Sequence, residues 1–297
     1  ISKSEDDYYG IKWSPDGKWL TGISAKSNQI FSIPLNGAAP AQLTKVASGV
    51  GYFAWSPDGK RLAFTSPENE PKSLTNRKAQ SGNFTIVGEM PALNCLWTVE
   101  VDQASMNPTA AVQRTRDISV SGFMAPFSWS PDGSKIAFSG VSNTKKTDLT
   151  PDIYSLTLAD GSIKQLVSLH GRDRDPQWSS DGEQIIFTSD MGRKGLEAYN
   201  YELAIVDASG GAPYSVSAKF DGHPRLIEWN KVGIYFWARE KTACHIFRLD
   251  PVSRETTRVP TPEGLYGGGF SFSIDGKKMA FTGPSATSVG ELYFFDL

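Results

Sequence analysis

The chain has 297 residues, with 30 Lys and Arg against 32 Asp and Glu and a formal net charge of −2, which excludes the broad basic surface that gives nucleic-acid binders their phosphate affinity. Apolar residues supply 39% and charged residues 21%, enough for a buried core under a polar surface, and no window reaches the roughly 18–20 consecutive apolar residues of a membrane helix. A soluble globular protein is expected, and a start at Ile1 without an initiator Met or a signal-type stretch suggests a processed product or a piece of something longer.

The predicted elements repeat along the chain. Trp13-Ser14-Pro15-Asp16-Gly17 is followed by Trp55-Ser56-Pro57-Asp58-Gly59, Trp129-Ser130-Pro131-Asp132-Gly133 and Trp178-Ser179-Ser180-Asp181-Gly182. Trp229-Asn230-Lys231-Val232-Gly233 holds the fifth place in eroded form, and Phe272-Ser273-Ile274-Asp275-Gly276 is the sixth copy. Six copies give a period of roughly 50 residues, that of propeller blades and other repeat arrays. Within each copy an Asp-Gly pair separates two short apolar runs, the signature of a hairpin turn. The second run closes at Phe64, Phe138, Phe187 and Phe281, and in the eroded copy at Phe236 after a shorter turn. A third run follows, as in Gln29-Ile30-Phe31-Ser32-Ile33 or Asp152-Ile153-Tyr154-Ser155-Leu156, and a short fourth such as Gln42-Leu43-Thr44 or Gln165-Leu166-Val167 ends the unit.

Four strands per repeat make the blade of a β-propeller. The expected fold is all-β: one six-bladed propeller of four-stranded antiparallel blades over residues 1–297, with blades near 4–44, 45–115, 116–167, 168–217, 218–259 and 260–297. The last blade lacks a fourth strand. Ile1 precedes Trp13 by the same interval that separates Leu43 from Trp55 and Leu166 from Trp178, so residues 1–3 are expected to supply that strand and close the ring. Further blades outside the chain are the alternative. Helices fit badly, because 28 glycines and 18 prolines interrupt the chain. The insertion 67–94, which carries Lys72, Arg77 and Lys78, stands outside the repeat and suits a short helix or a loop.

The unit Trp-Ser-Pro-Asp-Gly-Lys followed by Leu-Ala-Phe (55–64) resembles the repeat of TolB-like propellers, a motif specific for fold and nearly silent on function. The last third, with Cys244-His245-Ile246-Phe247-Arg248-Leu249-Asp250, Gly267-Gly268-Gly269-Phe270-Ser271-Phe272-Ser273 and Gly290-Glu291-Leu292-Tyr293, resembles the propeller of bacterial prolyl oligopeptidase family serine peptidases, the acylaminoacyl-peptidase-like branch in particular. That resemblance implies a propeller that precedes an α/β-hydrolase domain, covers its active site and filters substrate. The chemistry itself is absent. No Gly-x-Ser-x-Gly nucleophile elbow exists, and His170, His223 and His245 are the only histidines. No catalytic residue is assigned, and a hydrolase domain would lie beyond Leu297.

Loops joining second to third strands, at 67–94, 141–150 and 191–200, crowd one face, and elaborated loops on a rigid scaffold are where function concentrates. The same face receives Arg172, Asp173, Arg174 and Asp175 from the fourth copy, His223 and Arg225 from the fifth, and Glu5, Asp6 and Asp7 from the first. Arg172, Asp173, Arg174, Asp175, His223 and Arg225 are the candidate substrate- or partner-binding residues. A solvated rim of surface ion pairs is the plainer reading.

No metal site or cofactor is expected. The repeated Asp-Gly positions lack the further oxygen ligands that calcium requires, and Cys95 and Cys244 read as buried apolar residues. The repeated tryptophans suit one packing role between neighbouring sheets. The expected partners are an α/β-hydrolase domain or a protein or peptide, in a bacterial cytoplasm or periplasm that the sequence does not distinguish. A TolB-like binding scaffold without activity is the alternative, and a propeller enzyme with a channel site, such as a lyase or lactonase, is the next.

Overall fold

The computed structural model describes residues 6–68, 76–77, 80–82, 92–102, 107–122, 124–142, 150–193, 200–241, 243–261, 268–273, 275–283 and 290–297. Six antiparallel sheets follow one another in chain order as the blades of a β-propeller. Blade 1 holds β1 (Tyr8–Trp13), β2 (Trp19–Ser24), β3 (Ile30–Pro34) and β4 (Ala41–Gln42). Blade 2 holds β5 (Phe53–Trp55), β6 (Arg61–Pro67), β7 (Asn94–Asp102), β8 (Asn107–Pro108) and β9 (Val112–Gln113); blade 3 holds β10 (Ser119–Val120), β11 (Phe127–Trp129), β12 (Lys135–Val141), β13 (Asp152–Thr157) and β14 (Ile163–Val167). Blade 4 comprises β15 (Asp173–Trp178), β16 (Gln184–Ser189), β17 (Glu202–Asp207) and β18 (Tyr214–Ser215), and blade 5 comprises β19 (Arg225–Asn230), β20 (Gly233–Glu240), β21 (Ala243–Leu249) and β22 (Thr256–Arg258). Blade 6 has β23 (Gly268–Phe272), β24 (Lys278–Gly283) and β25 (Glu291–Asp296) among the described residues. Residues 1–3, expected to add its fourth strand, lie outside the described residues, as do most of the insertion 67–94 and residues 143–149 and 194–199 of the other two loops. Residues 76–77 and 80–81 of the insertion are helical.

Contacts divide the chain into two compact units, Ile1–Pro151 with Leu156–Ile163, and Asp152–Ser155 with Lys164–Leu297. Strand alternation explains the core of each. Along β20 the even residues Ile234, Phe236 and Ala238 pack with Ile186, Leu203 and Leu226 of the blade 4 side. The odd residue Tyr235 packs with Met279 and Phe281 of blade 6. A strand buried on both faces therefore reads as a continuous apolar run, Ile234-Tyr235-Phe236-Trp237, rather than as an alternating one. In the first unit Ile23, Ile30, Leu43, Phe53, Leu62 and Phe64 form the equivalent cluster.

The repeated turns share one set of bonds. Ser130 Oγ donates to Asp132 Oδ1 at 2.6 Å, and the Ser134 and Lys135 amides donate to Asp132 Oδ1 and Ser130 Oγ at 3.0 and 2.9 Å. Ser14–Asp16, Ser56–Asp58, Ser179–Asp181 and Ser273–Asp275 repeat it at 2.5–2.6 Å. The glycine that follows sits at positive φ, 68° at Gly133, where any side chain would strain the backbone. Bonds from Ser130 and then from the Ser134 backbone and side chain hold the Asp132 carboxyl down to a pKa of about 2. The turn reading of these aspartates holds, with the serine as a partner that the Asp-Gly pattern alone does not reveal.

Three of the aromatics that open a copy reach back to the preceding blade. Trp55 Nε1 donates to Thr21 Oγ1 at 3.0 Å, Trp129 Nε1 donates to the Ala54 carbonyl at 3.2 Å, and the Phe272 ring lies 4.8 Å from that of Tyr235. Trp13 departs from the expected role. It is 58% exposed, beside Ile11 at 47%. On β25, Tyr293 and Phe295 stack on Phe281, whereas the alternate residues Leu292 and Phe294 point out, 58% and 72% exposed. Cys95 is buried as expected, but Cys244 is only half-buried, since it sits near the end of β21 opposite Arg239.

Gln177 joins the first strands of blades 4 and 5. Its Nε2 donates to the Ile227 carbonyl at 2.9 Å and its Oε1 accepts from the Trp229 amide at 3.1 Å, so a side-chain amide stands in for a strand residue. Gln177→Ala leaves both backbone groups without that partner, and a loss of about 1–3 kcal/mol in urea unfolding is expected. Gln177→Glu, which keeps the acceptor and loses the donor, is expected to fall between. Equal midpoints for all three proteins would refute the clamp.

Candidate functional site

Blade 4 begins with a sharp approach to its first strand. Gly171, at φ 100°, lets the chain close over Asp190, whose side chain would lie 2.7 Å from any Cβ added there. Asp190 Oδ2 thereby accepts from the Arg172 amide at 2.9 Å and lies 3.4 Å from its Nε, an ion pair between half-buried groups. Asp175, also at positive φ (56°), occupies the bulge between Arg174 and Gln177 that re-aims β15. Blade 1 fills the corresponding bulge with Gly10 at φ 61° and blade 6 with Gly269 at 64°. A non-glycine residue in this conformation stores strain, of order 1 kcal/mol, and aspartate is among the side chains that tolerate it best.

Tyr201, just before β17, gathers the cations. The guanidinium carbons of Arg172 and Arg174 lie 5.4 and 5.5 Å from its ring centre. His223 packs against the same ring at 5.4 Å, and its Nδ1 accepts a long bond from the Tyr201 amide at 3.4 Å. Arg193 fixes the ends of the loop that carries Tyr201: it pairs with Glu202 at 2.6 Å and donates to the carbonyls of Asn200 at 2.9 Å and Asp190 at 3.1 Å. Beside it, Arg193, Asn200, Glu202, Lys219, Phe220 and Asp221 line an open cleft of about 390 Å³. A larger cleft of about 710 Å³ lies along blades 1 and 2, but Lys45 is the only ionisable residue on its described wall.

Asp173 turns inward instead. It is 1% exposed, Ser189 Oγ donates to its Oδ1 at 2.5 Å, and its Oδ2 has no hydrogen-bond partner among the described residues. Burial drives its pKa up to about 7 against the pull of the Ser189 bond, and the charges of Asp152 and Asp190 add to the rise.

Of the six candidate residues, Arg172, Arg174 and His223 thus meet around one ring. Arg225 lies over Trp237, at 5.4 Å from its ring to the guanidinium carbon. Asp173 is a buried acid and Asp175 a bulge residue. Tyr201, Asp190 and Arg193, which organise the cluster, were not among the candidates, and only their place at the ends of the 191–200 loop marks them. Among the described residues no group of three His, Cys, Asp or Glu side chains is placed to hold a metal ion, and no described helix is long and apolar enough to cross a membrane.

No family model matches the chain. It is 26% identical over 275 residues, 84% of its length, to dipeptidyl-peptidase 5 of Porphyromonas gingivalis, of which it spans 40%. Its fold matches 98% of the chain to acylaminoacyl peptidase of Pyrococcus horikoshii with a TM-score of 0.70 at 17% identity, spanning 44% of that enzyme. It also matches a TolB from Agrobacterium tumefaciens over 99% of the chain and 92% of that protein, with a TM-score of 0.57 at 17% identity. The chain is a β-propeller, similar in sequence to part of a dipeptidyl-peptidase and in fold to acylaminoacyl peptidase and TolB, and it spans less than half of these two peptidases.

Proposed function

We propose that this propeller docks on an α/β-hydrolase peptidase domain and gates access to it. One observation carries the reading: the sequence relative matched over most of this chain is a peptidase of which the chain spans 40%, so the likeness runs through a propeller part of a longer enzyme. The better superposition on acylaminoacyl peptidase than on TolB, 0.70 against 0.57, agrees. On this reading residues 1–297 act as one propeller domain, residues 1–3 complete blade 6, and the chain contributes selection rather than bond cleavage. The face bearing the Tyr201 cluster meets the hydrolase domain or its substrate. The match to 92% of a TolB supports the second reading, a scaffold that binds protein without a hydrolase partner.

Hydrogen exchange on residues 1–297, alone and joined to the hydrolase domain encoded with it, tests the choice. Protection of 170–175, 190–202 and 221–225 in the longer protein is expected. Protection confined to the Asp-Gly turns would move the docking face to the other side, and the absence of any encoded hydrolase domain would leave the scaffold.

A further inference from the structure

We propose that Arg174, lying over the Tyr201 ring beside Arg172 and His223, is the seat of a carboxylate-binding site, and that its ligand is the free C-terminus of a peptide. The identity of the ligand rests on the peptidase reading; the site itself does not.

Arg172 and Arg193, the neighbouring cations, have acidic partners, Asp190 at 3.4 Å and Glu202 at 2.6 Å. Arg174 has none among the described residues, although it is half-buried and lies 5.5 Å from an aromatic ring centre. The nearby acids are committed: Asp190 to Arg172, Glu202 to Arg193, Asp221 to the Asn200 amide at 3.4 Å and Asp173 to Ser189 inside the sheet. A guanidinium presents five donors in a planar fork matched to a carboxylate, and a cation–π approach to a ring favours its position without satisfying those donors. With His223 Nδ1 accepting from Tyr201, the neutral imidazole carries its hydrogen on Nε2, a second donor beside the same ring. His223 is exposed, so that donor is accessible to a ligand.

Charge selects the ligand class. One guanidinium without an acidic partner among the described residues balances a single negative charge, and the Asp190 carboxylate, paired with the neighbouring Arg172, disfavours a second. A monoanionic carboxylate fits and a phosphate dianion does not. The site is also preformed, since Arg193 ties Asn200, Glu202 and Asp190 together on either side of the loop. Ordering therefore costs little on binding.

Titration of residues 1–297 with N-acetyl-dialanine, with its C-terminal amide and with inorganic phosphate, followed by calorimetry, tests the assignment. The acid is expected to bind at least about tenfold more tightly than the amide, the scale of a charge-assisted hydrogen-bond pair. Arg174→Gln is expected to abolish that preference while leaving the urea-unfolding midpoint close to that of the parent, since the side chain has no acidic partner to lose among the described residues. Tyr201→Leu, which removes the platform and keeps the charge, is expected to weaken the acid and spare the amide. Equal binding of acid and amide, tighter binding of phosphate, no binding of any probe, or an Arg174→Gln protein that folds and still prefers the acid would each overturn the proposal. Acid-selective binding together with failure of the exchange experiment would retain the site and discard the peptidase reading.

Discussion

Asp173→Asn is expected to stabilise the protein at pH 8 relative to the parent and to change it little at about pH 3.5, below the unfolded carboxyl's titration. A carboxyl whose pKa rises from its ordinary 3.8 to about 7 on folding is protonated in the folded state through that interval. Its contribution to stability is fully present below pH 4 and is lost as pH rises through 7. At about 1.4 kcal/mol per pKa unit, the full interval corresponds to on the order of 4 kcal/mol. Asn resembles the protonated form and removes the loss. The turn aspartates act with the opposite sign, because Asp132 is held at about 2 and its contribution disappears as pH falls through that value. Urea unfolding of both proteins at about pH 3.5 and at pH 8 separates the two, since the turns are common to both. Parallel pH profiles for parent and variant would show that Asp173 does not titrate near neutrality.

Phe236→Ala should cost roughly 3–5 kcal/mol. Phe236 is fully buried, stacks on Phe247 at 5.3 Å and meets the edge of Phe220 at 4.9 Å. Phe247 is held on β21 and Phe220 packs on both rings, at 4.9 and 5.0 Å, which leaves little room for collapse around the void. Phe294→Ala, at a position 72% exposed, removes the same ring and should cost about 0.5 kcal/mol or less. Similar costs at the two positions would mean that the Phe294 face is covered in solution.

The blades were legible because every copy pairs one turn signature with two short apolar runs, and spacing survives even where Trp229 begins an eroded turn. What spacing cannot carry is the environment outside the repeat. Trp13 matches Trp55 in sequence yet is exposed, because burial depends on which sheet covers it. Arg172, Arg174 and His223 were legible as a charged face. Their meeting at Tyr201 was not, since that contact joins residues about thirty apart through the curvature of two blades. Asp173 and Arg174 are adjacent in sequence and look alike on a charge count, but strand alternation sends one into the sheet and the other onto its rim.

The Ser-x-Asp-Gly hairpins also have a kinetic consequence. Each forms from residues about ten apart, and hairpins of that kind close in about 1–10 μs, so five equivalent starting points are available before any sheet is complete. Local nucleation favours rapid folding of single blades. The same equivalence makes one hairpin a plausible substitute for another, and mispairing between like units is the characteristic error of repeat chains. The residue before each opening aromatic lies outside the repeat signature: Lys12, Ala54, Ser128, Gln177, Glu228 and Ser271, with only serine used twice. Gln177 bonds only to the strand that follows it in the correct order, so in this chain the proofreading of blade order falls to residues outside the repeat signature.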